Sequence, residues 1–169
     1  MSLQLTLAQQ SDLPFIVAVY NQAVATRLAT ADLDPITVPS RSNWFEEHQD
    51  PQRPLWIIKE ANTSVGWACL SNFYGRPAYQ QTVEVSIYID PAFQGKKLGS
   101  ATLKLVIEQA ASLNITTLLA FIFSHNYPSI ALFEKAGFEV WGKLPTVALM
   151  DDTLRDVTLL GKKINIAAK

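Results

Sequence analysis

Apolar and polar side chains alternate from Thr82 to Ile89. Val83, Val85, Ile87 and Ile89 fall on one side, and Thr82, Glu84, Ser86 and Tyr88 on the other. This two-residue period predicts a strand with one face in the core. Pro91, Gln94, Gly95 and Gly99 then punctuate a tight turn. After it Leu103, Val106, Ile107 and Ala110 recur at helical spacing, which predicts a helix from about Leu98.

The flanking pattern is read the same way. Leu3 to Ala8 alternates as a first strand. Ser11 and Asp12 offer a cap to a helix whose buried face carries Ile16, Val19, Tyr20 and Ala23. Thr26 to Pro39 is polar, proline-broken and too long for a plain connector, so it reads as a substrate-side loop or a solvated surface loop. Ser40 is expected to cap a short helix bearing Trp44 and Phe45, with His48 near its end complementing the helix dipole. Leu55–Glu60 and Val65–Phe73 read as a hairpin turning at Asn62-Thr63-Ser64. Thr117–Phe123 is a strand. Pro128–Ala136 is a helix stopped by Gly137, and Phe138–Leu144 and Thr153–Lys162 are the last two strands. The resulting order, β-α-α-β-β-β-α-β-α-β-β, is an α/β chain with a mixed sheet and helices on both faces.

With 169 residues, 49% of them hydrophobic, the chain is expected to form a single domain over 1–169 with a sizeable core. A formal net charge of −1 gives no reason to expect a nucleic-acid or membrane partner. One cysteine, Cys69, excludes an internal disulfide and, in its apolar run, reads as a buried inert thiol. With two histidines it leaves no zinc cluster, so no metal is expected. Neither a signal-peptide pattern nor an apolar run of about 18 residues occurs, and a cytoplasmic protein is expected.

A strand, a glycine-bearing loop and a helix start together make an anion site. The first helical N–H groups lack partners, and the helix dipole adds positive character. Lys96 and Lys97 add charge beside it. A pyrophosphate cradle and a plain turn both satisfy this pattern. Neither the G-x-x-x-x-G-K-[ST] spacing nor G-x-G-x-x-G is present.

Gln94-Gly95-Lys96-Lys97-Leu98-Gly99-Ser100 resembles the Q/R-x-x-G-x-G/A motif of the GCN5-related N-acetyltransferases (GNAT). Several other strings are similar to the phosphinothricin and methionine sulfoximine N-acetyltransferase subfamily. They include Tyr20-Asn21, Arg41, Trp44-Phe45, His48, Gly66-Trp67-Ala68 and Tyr74-Gly75-Arg76-Pro77-Ala78-Tyr79. The resemblance implies the GNAT fold, a mixed central sheet of about seven strands flanked by about four helices. It implies acetyl-CoA as cosubstrate and a small amino acid analogue as acceptor. A protein or polyamine amine, or a non-catalytic acyl-CoA-binding module, are the other readings.

Carried over by resemblance, the main chain of Ile87, Tyr88 and Ile89 follows the acetyl and pantetheine arm. Gln94, Gly95, Lys96, Lys97, Leu98, Gly99 and Ser100 hold the pyrophosphate. Asn126 and Ser129 meet the CoA arm, Asn126 being equally a helix N-cap. Glu84 is the candidate catalytic base, the alternative being a solvent-facing charge. Arg76 and Tyr79 are candidates for the acceptor, Arg76 for its carboxylate, beside the reading of an ordinary loop arginine. A homodimer is expected. Three departures matter. Phe133 stands where many relatives have a tyrosine general acid. Lys97 stands where the family often has glycine, and is expected to close the loop at negative φ. The family's late K-F-G-R-W-L-D stretch reads here as Met150 to Asp156, with only Asp156 plainly kept, which bears on the acceptor.

Overall fold

The computed structural model describes residues 2–164. Its elements are β1 (Leu3–Leu7), α1 (Leu13–Thr26), α2 (Ser42–Glu47), β2 (Leu55–Glu60), β3 (Thr63–Asn72), β4 (Thr82–Ile89), α3 (Leu98–Ser112), β5 (Thr117–Phe123), α4 (Tyr127–Lys135), β6 (Glu139–Met150) and β7 (Thr153–Lys163). The seven strands form one sheet in the order β1-β2-β3-β4-β5-β7-β6. All neighbours are antiparallel except β4 and β5. The order and type of elements are those the periodicity predicts.

Each face of the sheet has its own apolar cluster. Val83 and Val85 of β4 pack with Leu103, Val106 and Ala110 of α3, Leu118 and Ala120 of β5, and Phe133 of α4. On the opposite face Trp67 and Cys69 of β3 pack with Leu13, Ile16 and Tyr20 of α1 and Phe45 of α2. Tyr88 joins this second cluster, so the alternation of β4 divides the two cores.

Several local expectations shift. Ser40 sits in a short 3₁₀ turn, where its Oγ donates to the Thr37 carbonyl at 2.6 Å, and α2 begins only at Ser42. The β2–β3 turn is tighter than expected. Glu60 pairs with Thr63, and Ala61 takes a φ of 54° to close it. β6 runs past Leu144 to Met150 through a register irregularity between Leu144 and Ala148. There Asp156 Oδ1 accepts the N–H of Thr146, at φ 51°. No helix among the described residues is long and apolar enough to cross a membrane.

Candidate active site

β4 and β5 pair only at Thr82–Thr117, Val83–Leu118 and Glu84–Leu119. Beyond that rung β4 stays hydrogen-bonded to β3 and β5 to β7. The two parallel strands therefore part. They open a cavity of about 440 Å³ lined by Glu84–Tyr88 on one side and Ala120–Phe123 on the other. Strand edges that end a ladder leave backbone N–H and C=O groups available to a ligand lying between them.

Glu84 stands at the apex, half-buried, and none of the hydrogen bonds or ion pairs found among the described residues engages its carboxylate. Burial pushes its pKa above the usual 4.5. Ser86 and Tyr88 follow on the same strand face. Tyr88 is more deeply enclosed, and burial drives its pKa up. Its hydroxyl donates to the Ala29 carbonyl at 3.3 Å.

The loop after α1 roofs this cavity with Leu28, Ala29, Thr30 and Ala31. It is tied down on several sides. Arg27 Nε meets Asp151 Oδ2 at 2.6 Å, and Arg27 also donates to the Leu33 carbonyl at 2.6 Å. Asn126 Nδ2 donates to the Leu28 carbonyl at 3.0 Å. Tyr20 bonds both Thr30 and Asp32, and Arg41 lies 3.3 Å from Asp32. The roof is legible in the sequence only as a loop too long to be idle.

Asn126 is buried. Its Oδ1 accepts the N–H of Ser129 at 3.3 Å, making it the N-cap of α4, and both side chains line the cavity. Phe133 lines the same space and packs edge-on against Phe138 at 4.9 Å. An aromatic hydrocarbon therefore occupies the position at which a proton-donating tyrosine would face the cleft. Tyr127 is 74% exposed.

The loop Gln94–Ser100 lies where β4 hands over to α3, at the open end of the wedge. Asp90 Oδ1 accepts the Ala92 N–H at 2.9 Å and starts the turn. The first helical bond runs from Ala101 N–H to the Lys97 carbonyl, which leaves the N–H groups of Leu98, Gly99 and Ser100 without intrahelical partners. Gly95 has a φ of 81° and open space where a side chain would project. Gly99 differs. A Cβ there would approach Leu132 Cδ1 of α4 to 3.2 Å, so its small size serves helix packing rather than ligand approach. Lys97 has a φ of 60°, not the negative value expected. A non-glycine residue at the left-handed N-cap is how this loop closes without a second glycine.

Arg76 and Tyr79 do not reach the cavity beside Glu84. Both are exposed and line a second hollow with Asp50, Arg53, Asn72 and Gln80. An aromatic row links the two places. Tyr79 packs edge-on against Phe73 at 5.7 Å, and Phe73 stacks at 6.5 Å on Phe121, which lines the main cavity.

A smaller cavity of about 160 Å³ lies on the α1–α2 side of β4 and shares Ser86 and Tyr88 with the first. Tyr20, Arg41, Trp44, Trp67, Cys69 and Ser71 contribute to it. The Arg41 guanidinium stands 4.9 Å from the Tyr20 ring centre, and Trp67 stacks on Tyr88 at 4.6 Å. Cys69 is a buried thiol whose pKa is pushed up to about 12 by burial, so it is inert, as expected. His48 caps the end of α2, its Nδ1 lying 2.8 Å from the Trp44 carbonyl oxygen, and burial lowers its pKa. Among the described residues no group of three His, Cys, Asp or Glu side chains could hold a metal.

The sequence pattern of the "Acetyltransferase (GNAT) family" matches residues 16–138. Bacillus subtilis YwnH, provisionally named a phosphinothricin acetyltransferase, is 46% identical over 162 residues, covering 95% of this chain and 99% of its own. The L-methionine sulfoximine/L-methionine sulfone acetyltransferase of Pseudomonas aeruginosa is 31% identical, covering 95% of this chain and 94% of its own. A crystal structure of a phosphinothricin acetyltransferase from Sinorhizobium meliloti in complex with acetyl-CoA superposes with a TM-score of 0.90. It is 27% identical and covers 100% of this chain and 93% of that one. With the parted β4 and β5, the half-buried carboxylate at their junction and the loop opening α3, these matches lead to one assignment: the chain belongs to the GNAT family of acetyltransferases.

Proposed function

We propose that this protein transfers the acetyl group of acetyl-CoA to the primary amine of a small amino acid analogue of the phosphinothricin or methionine sulfoximine type, with Glu84 as the base. The observation that carries the reading is the Glu84 carboxylate. It is unpartnered among the described residues, raised in pKa, and set where β4 and β5 diverge. The names of the relatives above support the donor and the acceptor class.

Acetyl-CoA supplies the activated thioester. The N–H groups at Leu98, Gly99 and Ser100, with Lys96 and Lys97, suit its pyrophosphate. The free edges of Ile87–Ile89 suit the pantetheine arm. Glu84 removes the ammonium proton, directly or through a water, so that the nitrogen lone pair can attack the carbonyl. The C–N bond forms, the C–S bond breaks, and the second proton on the attacking nitrogen passes to the departing thiolate or to solvent. With Phe133 on the wall, the thiolate leaves without a tyrosine acid.

The assembly is a homodimer in this reading. Support comes from the exposed apolar side chains of the β6–β7 hairpin, including Trp141, Val147, Leu149 and Leu154. A monomeric mass at micromolar concentration in light scattering contradicts it.

Glu84→Gln tests the base. Turnover should fall about 10²–10⁴-fold while acetyl-CoA affinity stays near that of the wild type. Equal loss of both would remove Glu84 from the role.

A further inference from the structure

β6 lies at the edge of the sheet, beyond β7, and a regular ladder would hold it two strand spacings, about 10 Å, from β5. Yet Val147 and Ala148 of β6 line the cavity between β4 and β5, together with the 28–31 roof. The register explains how they reach it. Leu144 pairs with Val157 and Ala148 with Arg155, so Pro145, Thr146 and Val147 stand opposite Asp156 alone. A bulge of this kind bends its strand and re-aims the side chains on it. Pro145 has no N–H to pair. Thr146 takes a φ of 51°, a left-handed value unfavourable for a β-branched residue. The Asp156 carboxylate holds it there, Oδ1 accepting the Thr146 N–H at 2.8 Å.

Asp156 also reaches a second wall. Its carbonyl oxygen accepts the Ser124 N–H at 2.9 Å, just past the end of β5. Ser124 Oγ lies 2.7 Å from Thr158 Oγ1, and Val157, between Asp156 and Thr158, lines the cavity. One residue of β7 thus joins the end of β5 to the bulge of β6. Among the described residues the Asp156 carboxylate makes no ion pair, so its acceptor oxygen and not its charge is what the bulge uses.

We propose that Asp156 is a positioning residue for acceptor recognition: its bond to the Thr146 amide holds the β6 bulge that carries Val147 to the rim of the cavity, where Val147 sets the fit of the acceptor. The proposal rests on the reading of this cavity as the site of acetyl transfer to an amino acid analogue. In that reading the α3 loop, Asn126 and the Ile87–Ile89 edge suit the CoA arm, which leaves the roof and the bulge as walls for the acceptor. These two walls are tied to each other, since Asp151 of the β6–β7 turn meets Arg27 at 2.6 Å. Val147 is 57% exposed in the empty site, and an aliphatic side chain at the rim suits the methylene chain of a glutamate or methionine analogue.

The test is steady-state kinetics of the full chain with methionine sulfoximine and acetyl-CoA, read beside hydrogen exchange at the Thr146 amide. Asp156→Ala should raise KM for methionine sulfoximine about fivefold, with kcat and the acetyl-CoA KM within about twofold of wild type. Exchange at Thr146 should quicken by about the same factor or more. Asp156→Asn, whose amide oxygen still accepts, should restore both values. Val147→Ala should raise the same KM by a similar factor, and adding Asp156→Ala to it should change little more. An unchanged acceptor KM in Asp156→Ala or Val147→Ala overturns the proposal. So does an equal rise in the acetyl-CoA KM, a multiplicative effect in the double variant, or a KM change that comes with a changed mass in light scattering. Should Asp156→Ala not fold, Val147→Ala and the wild-type exchange at Thr146 decide. An unprotected Thr146 amide overturns this proposal alone. Wild-type protein that leaves methionine sulfoximine unacetylated removes the acceptor reading, and this proposal with it.

Discussion

Glu84 and Leu119 form the last rung between β4 and β5. One residue further on, the strands belong to different halves of the sheet, and the space between them is the cavity. The half-buried carboxylate thus sits where two strand edges part and a ligand can lie between them.

That placement has a thermodynamic signature. The folded protein holds a proton on Glu84 at higher pH than the unfolded chain does, because burial raises its pKa above 4.5. The stability associated with the protonated group is complete below pH 4.5 and is lost as pH rises through the folded value. Glu84→Gln should therefore melt at a higher temperature than wild type at about pH 8, and the difference should close toward about pH 4. Thermal unfolding across that range measures it. Destabilisation by Glu84→Gln at the alkaline end would show that the carboxylate is paired.

Lys97 holds a left-handed backbone at the start of α3. Lys97→Gly should relieve it and raise stability by up to about 1 kcal/mol. The same change removes a positive charge beside the proposed pyrophosphate site, so acetyl-CoA affinity should fall, and fall less at high salt. Urea unfolding and calorimetric titration of both proteins separate the two effects.

Gly66 lies against β4 so closely that a Cβ would fall 2.3 Å from the Tyr88 carbonyl oxygen and 3.0 Å from Ile89 Cα. Both atoms are backbone, and neither can swing aside. Gly66→Ala should cost about 1–3 kcal/mol and weaken acetyl-CoA binding by displacing the strand edge that lines the cleft. Wild-type stability and binding in this variant would show that β3 and β4 tolerate separation.

Arg27 anchors the roof of the cavity through Asp151 and the Leu33 carbonyl. The ion pair is exposed, with side chains 36% and 59% accessible, so it contributes less than about 1 kcal/mol to stability. Arg27→Ala should leave the unfolding midpoint nearly unchanged while raising KM for one or both substrates. Equal effects on midpoint and KM would make the contact merely structural.

The order of elements is readable because β4, α3 and β5 carry their own periodicities and end at residues with local reasons to end them. Glu84 and Asn126 are singled out by resemblance rather than by periodicity; both line the cavity, and the loop through Gly95 leads into α3. The parting of β4 and β5 is not readable, since Val85 and Ala120 look as strand-like as their paired neighbours and the divergence is set by what lies on either side. Nor is the extension of β6. The strand runs on through Pro145 at the sheet's edge, where a missing N–H is tolerated, and Asp156 completes the irregularity. The surroundings of His48 depend on Ser71, 23 residues away, and no local pattern announces that the ring is buried or that burial lowers its pKa. Arg76 lies close to Glu84 along the chain, yet the turn at Pro77–Tyr79 carries it into a separate hollow, and no local pattern announces that placement.

The most direct measurement is thiol release from acetyl-CoA against a panel of amines: phosphinothricin, methionine sulfoximine, methionine sulfone, the standard amino acids, a short peptide and spermidine. Rapid release with the glutamate and methionine analogues, abolished in Glu84→Gln, is the predicted result. Release with only the peptide or spermidine, or none with any amine while acetyl-CoA still binds, would contradict it.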